Sequence, residues 1–169
     1  MSGLLFLSSD DFSINTGNKG NIMCHGIPGF SLVLFYSTSC QHCRTLIPIF
    51  KKLPGSIGGC QFGMINVSTN KKCIIMSQST IAPIKFVPYI ILYIQGKPFM
   101  RYNGPHKQSE LIRFVMEVAN KIQSKQRFTS ENVKEENKEN GRLREYSVGI
   151  PLLGSENRCY LDFEVAYKS

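Results

Sequence analysis

The sequence predicts an α/β protein in which a mixed four- to five-stranded sheet lies between helices. Three observations carry that prediction. The run Phe30-Ser31-Leu32-Val33-Leu34-Phe35-Tyr36 is apolar at nearly every position, which suits a central strand covered on both faces better than a half-exposed one. Segments 43–53 and 109–122 repeat apolar residues at three- and four-residue steps, the spacing of helices that could supply the cover. Gln95-Gly96 separates two β-favouring runs by a link too short for a crossover, so the last two strands are antiparallel.

The elements follow in chain order. Leu4 to Leu7 reads as a short strand, and Ser9-Asp10-Asp11 as an N-cap before a short helix or turn holding Phe12 and Ile14. A loop containing Gly and Asn leads into the central strand 30–36. In the next helix Leu46, Ile47, Phe50 and Leu53 form the apolar face, Pro48 a kink and Pro54-Gly55 the stop. Phe62 to Val67 reads as a second buried strand, Lys71 to Ser77 as a short helix, Pro88 to Ile94 as a third strand and Lys97 to Tyr102 as its hairpin partner. Ser109 can cap the last helix, whose face is Leu111, Ile112, Phe114, Val115, Val118, Ala119 and Ile122.

This periodicity ends near Gln123, so residues 1–122 are expected to form the domain. Residues 123–145 are rich in Lys, Glu, Asn, Gln, Ser and Arg and read as a charged linker or a solvated helix. Residues 146–169 regain apolar side chains in Ile150-Pro151-Leu152-Leu153 and Tyr160-Leu161-Asp162-Phe163. They are expected to be an extended C-terminal docking tail that covers either the chain's own domain or a partner protein.

Composition narrows the function classes. No apolar run approaches a membrane span. The N-terminus has neither a basic leader nor an apolar stretch of secretory length, so the chain is expected to stay where it is made rather than be secreted. Of the net charge of +8, most lies in residues 1–106, which hold nine Lys or Arg and two acids. The basic residues are not clustered or interleaved with aromatics as in a nucleic-acid site, and nucleic acid is not an expected partner.

Among six cysteines, only Cys40 and Cys43 form a close pair, in Cys40-Gln41-His42-Cys43. A spacing of two residues at a helix start puts the cysteines about one turn apart, within the reach of a disulfide. Cys40, nearer the helix N-terminus, is expected to be the more exposed and the nucleophile, its thiolate stabilised by the helix dipole. Cys43 would then resolve the mixed disulfide. His42, when protonated, and Arg44 would stabilise the same thiolate, which favours the reduced form and makes the disulfide a stronger oxidant. The string alone also fits half of a zinc site or two core thiols, but no second ligand pair accompanies it and no metal or cofactor is expected. Cys24, Cys60 and Cys73 read as core or loop thiols, and His25 and His106 as surface or loop residues.

The context of the pair adds to this. Leu34-Phe35-Tyr36-Ser37-Thr38-Ser39-Cys40-Gln41-His42-Cys43-Arg44, with Pro48 and Phe50 after it, resembles the active-site strand and helix of thioredoxins, and its C-x-H-C form that of protein disulfide isomerases. Phe86-Val87-Pro88-Tyr89-Ile90-Ile91-Leu92-Tyr93, followed by Gln95-Gly96-Lys97-Pro98, resembles the cis-proline strand and hairpin of that family. The resemblance spans residues 4–122. It implies a cis bond before Pro88, with the Val87 backbone beside the cysteines to pair with an extended substrate chain. It also implies thiol-disulfide exchange, with protein thiols or disulfides as partners.

The departures from that pattern matter equally. Ser39 stands where the family has tryptophan, and Leu34 and Met64 stand where it often has a buried acid and its lysine. Losing both charges leaves a sound core but removes a proton acceptor for Cys43. Segment 79–85 lengthens the approach to Pro88. A closer similarity, carried by Leu34 to Ser37, Thr80 to Ile84, Phe99 to Tyr102 and Cys159 to Phe163, is to thioredoxin-domain proteins of large nucleocytoplasmic DNA viruses. It implies a protein of the host cytoplasm, in the viral factory and the virion, acting in assembly. The two expected functions are dithiol-disulfide oxidoreductase and capsid-associated structural or docking protein with little turnover.

Overall fold

The computed structural model describes residues 4–17, 19–127, 144–146 and 159–160, so most of the expected linker and docking tail lies outside the described residues. Its strands are β1 (Leu4–Leu7), β2 (Ser13–Gly17), β3 (Gly20–Cys24), β4 (Phe30–Tyr36), β5 (Cys60–Asn66), β6 (Phe86–Val87), β7 (Tyr89–Ile94), β8 (Lys97–Tyr102), β9 (Arg144–Tyr146) and β10 (Cys159–Tyr160). The helices are α1 (Gln41–Lys51), α2 (Lys71–Gln78) and α3 (Gln108–Arg127). The main sheet has the order β1-β5-β4-β7-β8, continued at the β8 edge by β9. Within it β4 runs parallel to β5 and antiparallel to β7.

The apolar run 30–36 is central because both of its faces are buried, and strand alternation divides its side chains between two cores. Leu32 and Leu34 pack with Phe62 and Met64 beneath Leu46 and Phe50 of α1, Leu53 just after it, and Leu111, Phe114 and Val118 of α3. On the opposite face Val33 and Phe35 pack with Phe12, Met23, Cys73, Ile74, Ile84 and Tyr93. Each fully buried Leu or Phe contributes about 1.5–3 kcal/mol of transfer free energy, so the two layers together hold the sheet.

The structure departs from the sequence reading at several places, among them Ser109, which lies inside α3 rather than capping it. After a 3₁₀ turn at Ser9–Asp11, residues 13–24 form the β2–β3 hairpin rather than a loop. Helix α3 continues past 122 to Arg127, into the segment read as a linker or solvated helix, and β9 pairs parallel with β8 across the boundary between the expected linker and tail. Helix α1 begins at Gln41, two residues early, with Cys40 itself at the N-cap. The third strand is preceded by a separate two-residue piece, β6, which leaves the main sheet.

The β7–β8 hairpin requires its glycine. Gly96 has φ +79°, and a Cβ there would lie 2.0 Å from the His25 carbonyl oxygen, while the His25 N–H donates to the Gly96 carbonyl at 2.9 Å. This close approach fixes the segment after β3 against the hairpin.

Candidate active site

Strand β4 delivers the chain to a turn at residues 37–39, and α1 starts immediately after it. The Cys40 N–H donates to the Ser37 carbonyl at 3.2 Å, and the Cys40 carbonyl accepts the Arg44 N–H at 3.1 Å. The Ser37 hydroxyl joins three groups: Ser39 Oγ at 2.8 Å, Ser68 Oγ at 2.6 Å and the Ser39 N–H at 3.3 Å. Arg44 Nε donates to the Thr38 carbonyl at 2.8 Å. Arg44 thus braces the turn, a role that sequence reasoning had not assigned to it.

Both cysteines of the pair are buried, Cys40 at 3% exposure and Cys43 at 0%. Cys40 is thus the more exposed of the two, as expected, but only slightly, and it is not open to solvent. Its sulfur lies 3.7 Å from the Val87 carbonyl oxygen, so the β6 segment covers it. The Val87–Pro88 bond is cis. Cys43 Sγ accepts the Ser37 N–H at 3.5 Å. Burial pushes the Cys43 thiol up to about 11, with the Ser37 N–H acting in the opposite direction. Cys40 is disulfide-bonded whereas Cys43 is a free thiol, so the bond made by Cys40 does not close within the motif.

His42 is half-buried on the first turn of α1. His106, in the β8–α3 connection, is also half-buried; its pKa is lowered first by burial and then by the neighbouring His42. The structure thus gathers Cys40, Cys43, Val87 and Pro88 at the end of the sheet and adds His106 beside His42. No local pattern around His106 could have announced this, because the β8–α3 connection sets its position.

His25 lies in the loop after β3 but is buried rather than at the surface, with Nδ1 accepting the Ile27 N–H at 3.0 Å and Nε2 lying 3.1 Å from Ser31 Oγ. The backbone donor assigns the proton of the neutral ring to Nε2. Burial lowers its pKa to about 4, with Asp11 opposing. Leu34 and Met64 face each other in the β4–β5 register and are both buried, so neither an acid nor its lysine stands at these positions. Among the described residues no group of three or more His, Cys, Asp or Glu could hold a metal ion, and no helix is long and apolar enough to cross a membrane.

Comparison with known proteins agrees with this geometry. The sequence model of the thioredoxin family matches residues 27–117. An uncharacterized protein, 196R, of Invertebrate iridescent virus 6 is 37% identical over 99% of this chain and 95% of its own length. A second uncharacterized protein, 020R, of Invertebrate iridescent virus 3 is 30% identical over 98% and 96% respectively. A crystal structure of human ERp44 superposes with a TM-score of 0.51 at 16% identity, covering 69% of this chain and 29% of that one, which is a likeness of fold.

Proposed function

Because the chain belongs to the thioredoxin family, we propose that it carries out thiol-disulfide exchange on extended protein segments, with Cys40 as nucleophile and Cys43 as resolving thiol. The observation that carries this reading is the Cys40 sulfur 3.7 Å from the Val87 carbonyl, beside the cis Val87–Pro88 bond and one helical turn before a buried free thiol. A substrate strand pairing with the Val87 backbone would present its cysteine to Cys40. A mixed disulfide would form, and Cys43 would then attack Cys40 and release the substrate thiol. His42 lies between the two cysteines in sequence, next to Cys43, and a positive charge there would favour the Cys40 thiolate.

We further propose a role in virus assembly, in host cytoplasm and in the virion, with capsid or other virion proteins as partners; the full-length relatives are iridescent-virus proteins. The test is insulin reduction by the purified full chain with dithiothreitol, in wild type and Cys40→Ser. Turnover that disappears in the variant is the expected result, and equal turnover in both would remove Cys40 from the chemistry. A second reading, a capsid-associated protein with little turnover, is favoured by the apolar Leu34–Met64 pair. Folded, fully reduced wild type that is inactive on insulin would select it.

A further inference from the structure

Strand β10 lies on the edge that a substrate would use. It pairs antiparallel with β6 in a two-stranded sheet of its own, with Cys159 opposite Val87 and Tyr160 opposite Phe86. Val87 is the residue whose carbonyl touches the Cys40 sulfur. An extended chain bound for disulfide exchange would need this arrangement: a strand along Val87 with a cysteine in register beside it. The cysteine inventory points the same way. Of six cysteines, Cys24, Cys43, Cys60 and Cys73 are free thiols and Cys40 is disulfide-bonded, which leaves Cys159 as the one cysteine of the chain available to it.

We propose that Cys159 is a third redox cysteine of this site, exchanging with Cys40 so that the 159–160 strand acts as a built-in substrate and closes the site to other chains. The proposal rests on the reading of Cys40 and Cys43 as an exchange pair. Starting from an oxidised Cys40–Cys43 pair, the Cys159 thiolate attacks Cys40 Sγ. The Cys40–Cys159 bond forms as the Cys40–Cys43 bond breaks, and the bond's electron pair leaves on Cys43, which takes up the proton that Cys159 gave up. No net oxidation occurs and no outside oxidant is consumed.

The reverse step requires a Cys43 thiolate. Burial holds that thiol up at about 11, so few molecules carry the attacking form at neutral pH and the tail disulfide is slow to reopen. An external substrate must also displace β10 from Val87 before its own sulfur can reach Cys40. The tail therefore sets a threshold: reduction of the Cys40–Cys159 bond frees both the nucleophile and the strand edge.

The experiment uses the full chain isolated without reductant, with free thiols blocked in acid, digested without reduction and mapped by mass spectrometry. A Cys40–Cys159 linked peptide as the main species is expected, and a Cys40–Cys43 link alone would overturn the proposal. The second arm compares initial insulin reduction by wild type and Cys159→Ser, each started from its oxidised form. Several-fold faster onset in the variant is expected, and identical onset would overturn the closing role. If both proteins were inactive on insulin while the linked peptide persisted, the function proposed above would fail and the tail disulfide would stand.

Discussion

The two faces of the sheet are built from the same strands and do different work. Under α1 and α3 the packing is Leu32, Leu34, Phe50, Phe62, Met64 and Phe114, with Cys60 as its only sulfhydryl among the buried residues. The opposite face gathers Cys40, Cys43 and Cys73, and His25 meets Tyr93 near it at 4.2 Å between ring centroids, the rings tilted by 44°. Burial pushes Cys73 up to about 12 and Cys43 to about 11, so both are held almost entirely as thiols at neutral pH. Selectivity for Cys40 therefore comes as much from silencing its neighbours as from activating it. Both faces supply stability, and the second also holds reactive atoms in check.

The largest effect that tests this division is on the first face. Phe50 is fully buried and meets Phe62 edge-on at 6.1 Å between centroids. Phe50→Ala should cost about 3–5 kcal/mol, read as a fall in the urea midpoint. Disulfide mapping of the still-folded protein should be unchanged, and a redistribution among cysteines would show that the two faces are coupled.

A second substitution carries chemistry from one face to the other. Leu34→Asp would place a carboxylate opposite Met64 in the apolar layer, and breaking charge balance in such a place costs about 3–5 kcal/mol. Adding Met64→Lys should recover part of that loss. If the missing proton acceptor is what limits Cys43, the double variant should also resolve mixed disulfides faster at neutral pH. Recovered stability with no gain in resolution rate would assign the slow step elsewhere.

His25 ties the second face to pH. Its folded pKa of about 4 lies below the ordinary 6.5, so between those values the unfolded chain binds the proton that the folded chain excludes. Stability is full above about pH 6.5 and falls as pH drops toward 4, by about 3 kcal/mol in all. Protonation at Nδ1 would also abolish its acceptance of the Ile27 N–H. Urea midpoints measured from pH 7 to pH 4 should therefore slope more steeply in wild type than in His25→Gln, and parallel slopes would contradict the assignment.

Much of this was legible in the sequence because it rests on local pattern. Strands 4–7, 30–36 and 97–102 are bounded as read, since continuous or alternating apolar residues leave no other good placement. The family resemblance supplied the cis bond at Pro88. What escaped depends on distant partners. Ser13 to Gly17 has too few apolar residues to announce a strand, yet it pairs with 20–24. The His25 ring is buried by Phe12 and Tyr93, which lie far from it in sequence. Strands of two or three residues such as β6, β9 and β10 have no periodicity to detect; only the edges they meet define them. The depth at which Cys40 is buried escaped for the same reason, because helix position says nothing of a carbonyl arriving from Val87.

The smallest expected effect concerns the turn that joins the two faces to the site. The Ser37 hydroxyl meets Ser39 and Ser68 and accepts the Ser39 N–H, whereas the contact with Cys43 is made by the Ser37 backbone N–H. Ser37→Ala removes the first set and keeps the second. A loss of about 1 kcal/mol is expected from the missing hydroxyl bonds, visible as a small shift in the urea midpoint. Alkylation of Cys43 in the reduced protein should keep its pH dependence, since burial and the backbone donor both remain. If instead that dependence moves to lower pH, the hydroxyl cluster rather than depth of burial is what keeps water from Cys43, and the turn, more than the core beneath it, sets the contrast between the two cysteines.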